Sequence, residues 1–259
     1  MVITIMNNSS IGVLDSGMGG LSILRELRVQ LPGESFIYWG DGKNCPYGPK
    51  PVDEVIGYVD AGVQLLVGKG IKMLVLACNA ATAAAVGFLR AKYDFPIVGM
   101  EPAVKPAVLT TKSGVVGVLA TANTLRGELF RTTSAGYANR ARIIPAVGEG
   151  FVELVENGRE DSPEAFEAVR RVVEPLLDAG VDRLVLGCTH YPFLRKTIEK
   201  VIAGRDVELV DSAPAVARRV AAILRERDLA ASPDHRPVCE FFTAGDDEYL
   251  GKLEVRSER

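Results

Sequence analysis

Short, almost wholly apolar runs alternate along this chain with longer stretches in which apolar positions return every three or four residues. The runs are Ile11–Leu14, Phe36–Trp39, Met73–Ala77, Ile97–Gly99, Val115–Leu119, Arg142–Ile144, Arg183–Gly187 and Glu208–Val210, mostly bounded by Gly, Asp or Pro. The longer stretches include Leu21–Leu31, Asp53–Lys69, Thr82–Tyr93, Pro163–Ala179, Phe193–Ile202 and Ala213–Arg227. Strands with no polar face, separated by amphipathic helices, belong in parallel sheets covered on both sides. The pattern predicts an α/β fold.

The pattern also repeats itself. Ile11-Gly12-Val13-Leu14-Asp15-Ser16 is echoed by Val116-Gly117-Val118-Leu119-Ala120-Thr121, and Leu74-Val75-Leu76-Ala77-Cys78-Asn79 by Leu184-Val185-Leu186-Gly187-Cys188-Thr189. Pro102-Ala103-Val104 returns as Pro214-Ala215-Val216. Buried parallel strands resemble one another, but a shared cysteine at the same strand end favours duplication. The expectation is two similar parallel-sheet α/β domains related by pseudo-twofold symmetry, with an active site in the cleft between them. Residues 1–100 with 211–259 form the first and 101–210 the second, because a strand at Glu240–Thr243 and the last helix need a sheet to join.

Composition narrows the class of partner. Among 259 residues, 30 basic against 33 acidic side chains leave a formal charge of −3, without the basic excess of a nucleic-acid surface. No apolar run approaches the roughly 20 residues of a membrane helix. Met1–Asn8 lacks the basic start and cleavage signature of a secretory leader. The four cysteines, Cys45, Cys78, Cys188 and Cys239, form no Cys-x-x-Cys pair, so free thiols in the cytoplasm are expected. A zinc site needs clustered ligands, and only Cys188-x-His190 comes near one; neither metal nor cofactor is expected.

In open parallel sheets ligands sit beyond the carboxyl ends of the strands. The residues there are Asp15-Ser16, Asp41, Cys78-Asn79, Thr121, Cys188-Thr189-His190 and Asp211-Ser212. A thiol ionises near pH 8.5, roughly, and more easily beside a helix N-terminus. Cys78 and Cys188 each end an apolar strand and precede an apparent helix start, Asn79–Thr82 and Thr189–Phe193. Two such groups on opposite sides of one carbon are what stereoinversion requires: one takes a proton from one face, the other delivers one to the opposite face. Asp15 and His190 are the groups placed to manage the protons of Cys78 and Cys188 respectively. A lone strand-end cysteine is usually a small buried hydrophobe; two at matched positions of a repeat point to chemistry. Cys45 and Cys239 read as structural, His235 as a solvated loop residue, and the charges of Pro163–Asp178 as a solvated helix face. One rival remains: Gly17-x-Gly19-x-x-Ser22, with Asp41 at the next strand end, approximates a dinucleotide-binding turn. A glycine-rich turn exposing Asp15 and Ser16 to a small ligand fits the same letters.

These motifs, taken together, resemble those of the bacterial glutamate racemases. The likeness is carried by Gly12-Val13-Leu14-Asp15-Ser16-Gly17-Met18-Gly19-Gly20-Leu21, by Tyr38-Trp39-Gly40-Asp41 with Pro46-Tyr47-Gly48, and by Ala77-Cys78-Asn79-Ala80-Ala81-Thr82-Ala83. Leu186-Gly187-Cys188-Thr189-His190-Tyr191-Pro192 and Leu209-Val210-Asp211-Ser212-Ala213 complete it, spanning Ile11 to Val220. The resemblance implies a cofactor-independent interconversion of L- and D-glutamate that supplies D-glutamate for peptidoglycan. It implies Cys78 and Cys188 as the acid/base pair, assisted by Asp15, His190 and a glutamate placed at Glu156, with Glu153 as the alternative. Asp15, Ser16, Tyr47, Gly48, Asn79, Ala80, Thr121, Thr189 and His190 would line the substrate. Ala80 stands where the family usually has Thr, leaving a backbone N–H as the contact there. The partners expected are glutamate and a second copy of the chain in a homodimer. A racemase for aspartate, a one-cysteine decarboxylase and a non-catalytic binding protein are the competing readings, the decarboxylase disfavoured by the second cysteine.

Overall fold

The computed structural model describes residues 8–258. The reading of Met1–Asn8 therefore lies, but for Asn8, outside the described residues. In chain order the elements are β1 (Ile11–Asp15), α1 (Leu21–Gln30), β2 (Phe36–Gly40), α2 (Val52–Gly68), β3 (Met73–Leu76), α3 (Asn79–Lys92) and β4 (Ile97–Val98). There follow α4 (Val104–Thr110), β5 (Val115–Ala120), α5 (Ala122–Arg126), α6 (Glu128–Tyr137), β6 (Arg142–Val147), α7 (Phe151–Glu156), α8 (Pro163–Asp178) and β7 (Arg183–Gly187). The chain closes with α9 (Arg195–Val201), β8 (Glu208–Asp211), α10 (Ala213–Glu226), β9 (Cys239–Thr243) and α11 (Asp247–Ser257). Two 3₁₀ turns, Gly42–Asn44 and Tyr191–Leu194, lie between.

The chain divides into two compact α/β units. One holds the described residues up to Met100 together with those from Ala213 onward; the other is Glu101–Ser212. Their sheets run β4-β3-β1-β2-β9 and β6-β5-β7-β8, and every pairing described is parallel. Each has a core of side chains that add about 1.5–3 kcal/mol apiece when fully buried. In the first it includes Val13, Leu14, Leu24, Val59, Val63 and Val75; in the second Val104, Val116, Val118 and Val185.

The echo in the sequence is an echo in register. Replacing β1, β2, β3 and β4 by β5, β6, β7 and β8 converts the first order into the second, leaving only β9 extra. Gly12 pairs with Leu74 and Ile37; its echo Gly117 pairs with Leu184 and Ile144. Even the packing repeats. A Cβ on Gly12 would meet Ile71 at 2.9 Å and Leu66 at 3.3 Å; on Gly117 it would meet Leu184 at 2.9 Å, Val181 at 3.2 Å and Leu176 at 3.3 Å. Leu66 and Leu176 lie in α2 and α8, so the missing Cβ lets each helix rest close on its sheet. At the opposite end from the cysteines the units hold buried charges: Lys72 on Glu34 at 2.5 Å, and Asp182 against Thr111, Lys112 and Ser113. Burial pushes the Asp182 carboxyl up, but those hydrogen bonds more than offset it and hold the group down to about 2.

Several elements differ from the pattern. β6, β8 and β9 are partly exposed because they are sheet edges, so not every strand is covered on both sides. The helix expected from Thr82 begins at Asn79, since the Cys78 sulfur caps it. Phe193–Ile202 resolves into the Tyr191–Leu194 turn and α9: Pro192 opens that turn without an N–H, and Phe193 bonds back to His190 in 3₁₀ fashion. The second cysteine therefore precedes a turn and a 3₁₀ run, and only Cys78 sits on an α-helix. His235 is half-buried, 2.7 Å from the Ser35 hydroxyl, because the segment before β9 packs along the first sheet.

Gly187 leads directly into Cys188, and a Cβ there would stand 2.9 Å from the Leu119 carbonyl oxygen and 3.0 Å from Ala120 Cβ. Backbone cannot yield as a side-chain tip can. Gly187→Ala should cost about 1–3 kcal/mol of stability, read as a lower urea midpoint; an unchanged midpoint contradicts this packing.

Candidate active site

The chemistry-bearing residues stand at the carboxyl ends of the central strands of each unit. In the first, β1 delivers Asp15 and the chain then crosses back over it. A Cβ on Gly20 would lie 2.6 Å from Asp15 Cβ and 2.9 Å from the Tyr38 oxygen, so only glycine lets the turn close. Gly17 N–H donates to Asp15 Oδ1 at 2.8 Å, and the Tyr38 hydroxyl donates to the Gly17 carbonyl at 2.7 Å. The turn covers Asp15 instead of exposing it: Asp15 is wholly buried and Ser16 nearly so. With a carboxylate holding the amide that a pyrophosphate would need, the dinucleotide alternative loses its donor.

β3 delivers Cys78, whose extended backbone makes it the N-cap of α3. Its sulfur accepts the Ala81 N–H at 3.4 Å, and its thiol donates to the Ser16 hydroxyl at 3.7 Å. The first N–H groups of a helix have no partner within it, so Asn79 and Ala80 present theirs beside the thiol. Asn79 is itself buried, and its amide nitrogen and oxygen make no hydrogen bond among the described residues. After β2, Asp41 accepts from the Tyr47 hydroxyl at 2.6 Å and from the Asn44 amide at 3.0 Å, fixing the loop that carries Tyr47 and Gly48. Burial first, then the charge and hydrogen bond of Asp41 and the charges of Cys78 and Asp15, push the Tyr47 hydroxyl far above its ordinary range. It remains a neutral donor.

In the second unit β7 delivers Cys188 into a tight turn, with Tyr191 N–H bonded to the Cys188 carbonyl at 3.0 Å. The turn folds His190 back so that Nδ1 lies 3.9 Å from the Cys188 sulfur, while Nε2 meets Glu156 Oε1 at 2.6 Å. Glu156, not Glu153, supplies the carboxylate that reaches the ring. A carboxylate at Nε2 holds the ring proton there and turns Nδ1 toward the sulfur. Thr189 and His190 are buried. Thr121, half-buried at the end of β5, pairs its hydroxyl with Thr124 at 3.0 Å. Asp211 pairs with Arg195 at 3.0 Å, and Ser212 donates to the Glu101 carbonyl at 2.6 Å, so both serve the second unit's own structure.

Comparison with known proteins gives the chain's family. Residues 21–220 match the model of the Asp/Glu/hydantoin racemase family. A glutamate racemase of Herpetosiphon aurantiacus is 45% identical over 96% of this chain and 97% of its own length. The crystal structure of a glutamate racemase isoform from Bacillus anthracis superposes with a TM-score of 0.87 at 35% identity, covering 96% of this chain and 94% of that one. The Escherichia coli glutamate racemase, solved with L-glutamate and the activator UDP-MurNAc-Ala, gives 0.83 at 35% identity, covering 96% and 95%.

The chain belongs to the glutamate racemase family. Glutamate racemases are isomerases: substrate and product differ only in the hand of one carbon. Three features of this racemase escaped the sequence. The closeness of Ser16 to the Cys78 sulfur left only its place beside Asp15 as a signal. The Asp41–Tyr47 bond joins two residues of one motif, and the letters do not show that they touch. Tyr191 stood in its motif as a letter only, with nothing in the sequence to show that it is wholly buried.

Tyr47 makes stability fall in alkali. An unfolded tyrosine ionises near pH 10, whereas the folded group keeps its proton, so its contribution is complete below about pH 10 and lost as pH rises beyond it. The urea midpoint should drop more steeply above about pH 10 in the wild type than in Tyr47→Phe. Equal slopes contradict the protonated, buried hydroxyl.

Proposed function

We propose that this racemase inverts glutamate with two thiols, Cys78 and Cys188, acting on opposite faces of one α-carbon, without metal or cofactor. The observation that carries the reading is the Asn79 amide, buried at the first turn of α3 next to Cys78 with neither polar atom bonded among the described residues. Buried polar groups are almost always hydrogen-bonded. An amino-acid zwitterion supplies what this amide lacks, a carboxylate to accept from Nδ2 and an ammonium to donate to Oδ1. The backbone N–H groups of Asn79 and Ala80 add donors for the same carboxylate.

The reaction balances with no electron transferred. One sulfur, as thiolate, takes the α-proton; the electron pair left on carbon spreads into the α-carboxylate, where the helix N–H groups stabilise it. The other sulfur, as thiol, gives its proton to the opposite face, and the two sulfurs end with exchanged protonation. Asp15 serves the Cys78 side. On the other, His190 presents Nδ1 to Cys188, and Glu156 holds the ring by Nε2. Ser16, Tyr47, Gly48, Thr121 and Thr189 line the substrate in this reading. L-Glutamate in the Escherichia coli relative supports the choice of substrate. Supply of D-glutamate to peptidoglycan, work in the cytoplasm with its four cysteines reduced, and a homodimeric assembly complete the proposal.

Cys78→Ser and Cys188→Ser should each slow racemisation of both enantiomers by about 10²–10⁴-fold, followed by circular dichroism of the glutamate. Full turnover by either variant rejects the two-thiol mechanism.

A further inference from the structure

The carboxylate that holds His190 comes from an unpromising support. α7 has only six residues, too few to be stable alone, and no side chain caps its N-terminus at Gly150. Yet Glu156, its last residue, meets the imidazole at 2.6 Å. Something must fix where α7 starts.

That constraint comes from the residue after His190. Tyr191 is wholly buried, and α7 packs on the Tyr191–Leu194 turn. Its hydroxyl donates to the Gly148 carbonyl at 3.3 Å, two residues before the N-cap of α7. Its ring meets Phe151, the first residue of α7, edge to face at 5.2 Å and 67°. Gly148 is itself pinned: its N–H bonds the Ala120 carbonyl at 3.3 Å, and its carbonyl accepts the Phe151 N–H at 3.3 Å. A Cβ on Gly148 would stand 2.5 Å from the Tyr191 oxygen and 2.6 Å from the Phe151 ring. The contacts close a ring, from His190 through Tyr191, Gly148 and Phe151, along α7 to Glu156 and back to His190. Burial, with the charges of Cys188 and Glu153, pushes the Tyr191 hydroxyl well up, so it serves as a donor and not a base.

We propose that Tyr191 is a positioning residue for the acid–base group of the second thiol: by clamping the entry of α7 it sets where Glu156 holds His190, and so the angle His190 presents to Cys188. The inference rests on the proposed role of His190 and Glu156. Tyr191 touches no reacting atom.

The test is a kinetic double-mutant cycle with Glu156→Gln. Tyr191→Phe keeps the ring and removes the donor; kcat should fall about 3- to 10-fold, the worth of one hydrogen bond, with KM within about twofold. Glu156→Gln should fall further, and the double variant should be no slower than Glu156→Gln alone, because both changes act on one link. A purely structural role would lower the active fraction in either background and give multiplied losses. Multiplied losses, or wild-type speed in Tyr191→Phe, overturn the inference. Wild-type speed in Glu156→Gln rejects the acid–base reading beneath it, a distinguishable result. Should Tyr191→Phe not fold, Gly148→Ala, which pushes the hydroxyl aside, takes its place in the cycle: no added loss beside Glu156→Gln supports the clamp, and multiplied losses overturn it.

Discussion

At the carboxyl end of a strand buried on both faces there is no bulk water, so every polar atom there must be met by protein or by ligand. The racemase is arranged around that constraint. Asp15 meets it with the Gly17 amide, Tyr47 with Asp41, His190 with Glu156, and the Cys78 sulfur with Ala81 and Ser16. Asn79 makes no such bond among the described residues. Its amide is therefore the strongest pointer to a small polar ligand, and it lies one residue from a thiol.

The repeated scaffold carries two unlike sets of polar groups on one frame. By register, Cys78 corresponds to Cys188, but Asp15-Ser16 corresponds to Ala120-Thr121 and Asn79-Ala80 to Thr189-His190. The second unit has no carboxylate at its β5 end and carries a histidine where the first carries Ala80. That substitution fits the local backbone. α3 begins at once after Cys78, so its first turn offers N–H groups; after Cys188 the chain makes a turn and a 3₁₀ run, which brings His190 back toward the sulfur. One unit offers a helix N-terminus and the other an imidazole.

Much of the fold was legible because buried parallel strands leave a strong signal. β1, β2, β3 and β7 are buried throughout, and the two strand echoes, β1 with β5 and β3 with β7, matched the registers. Edge strands were read less well, since β6, β8 and β9 keep one side wet and lose the pattern. Short helices such as α5 and α7 are too brief to establish a period. Motif letters singled out the cysteines, Asp15 and His190, but not how each is held. Glu153 and Glu156 sit one turn apart in the same short run, and only the return of His190 onto α7 distinguishes them. Gly20 shows the same limit: its need is set by Asp15 beneath it, a contact no local pattern encodes.

The central claim is that the proton removed and the proton delivered belong to different sulfurs. The most direct measurement is early-time proton NMR and chiral analysis of L-glutamate turned over in deuterated water by the wild-type enzyme. The two-thiol account predicts that newly formed D-glutamate carries deuterium at its α-carbon while the remaining L-glutamate keeps its protium. The original protium transferred into the product, or equal deuteration of both enantiomers from the outset, would mean that a single group serves both faces and would contradict it.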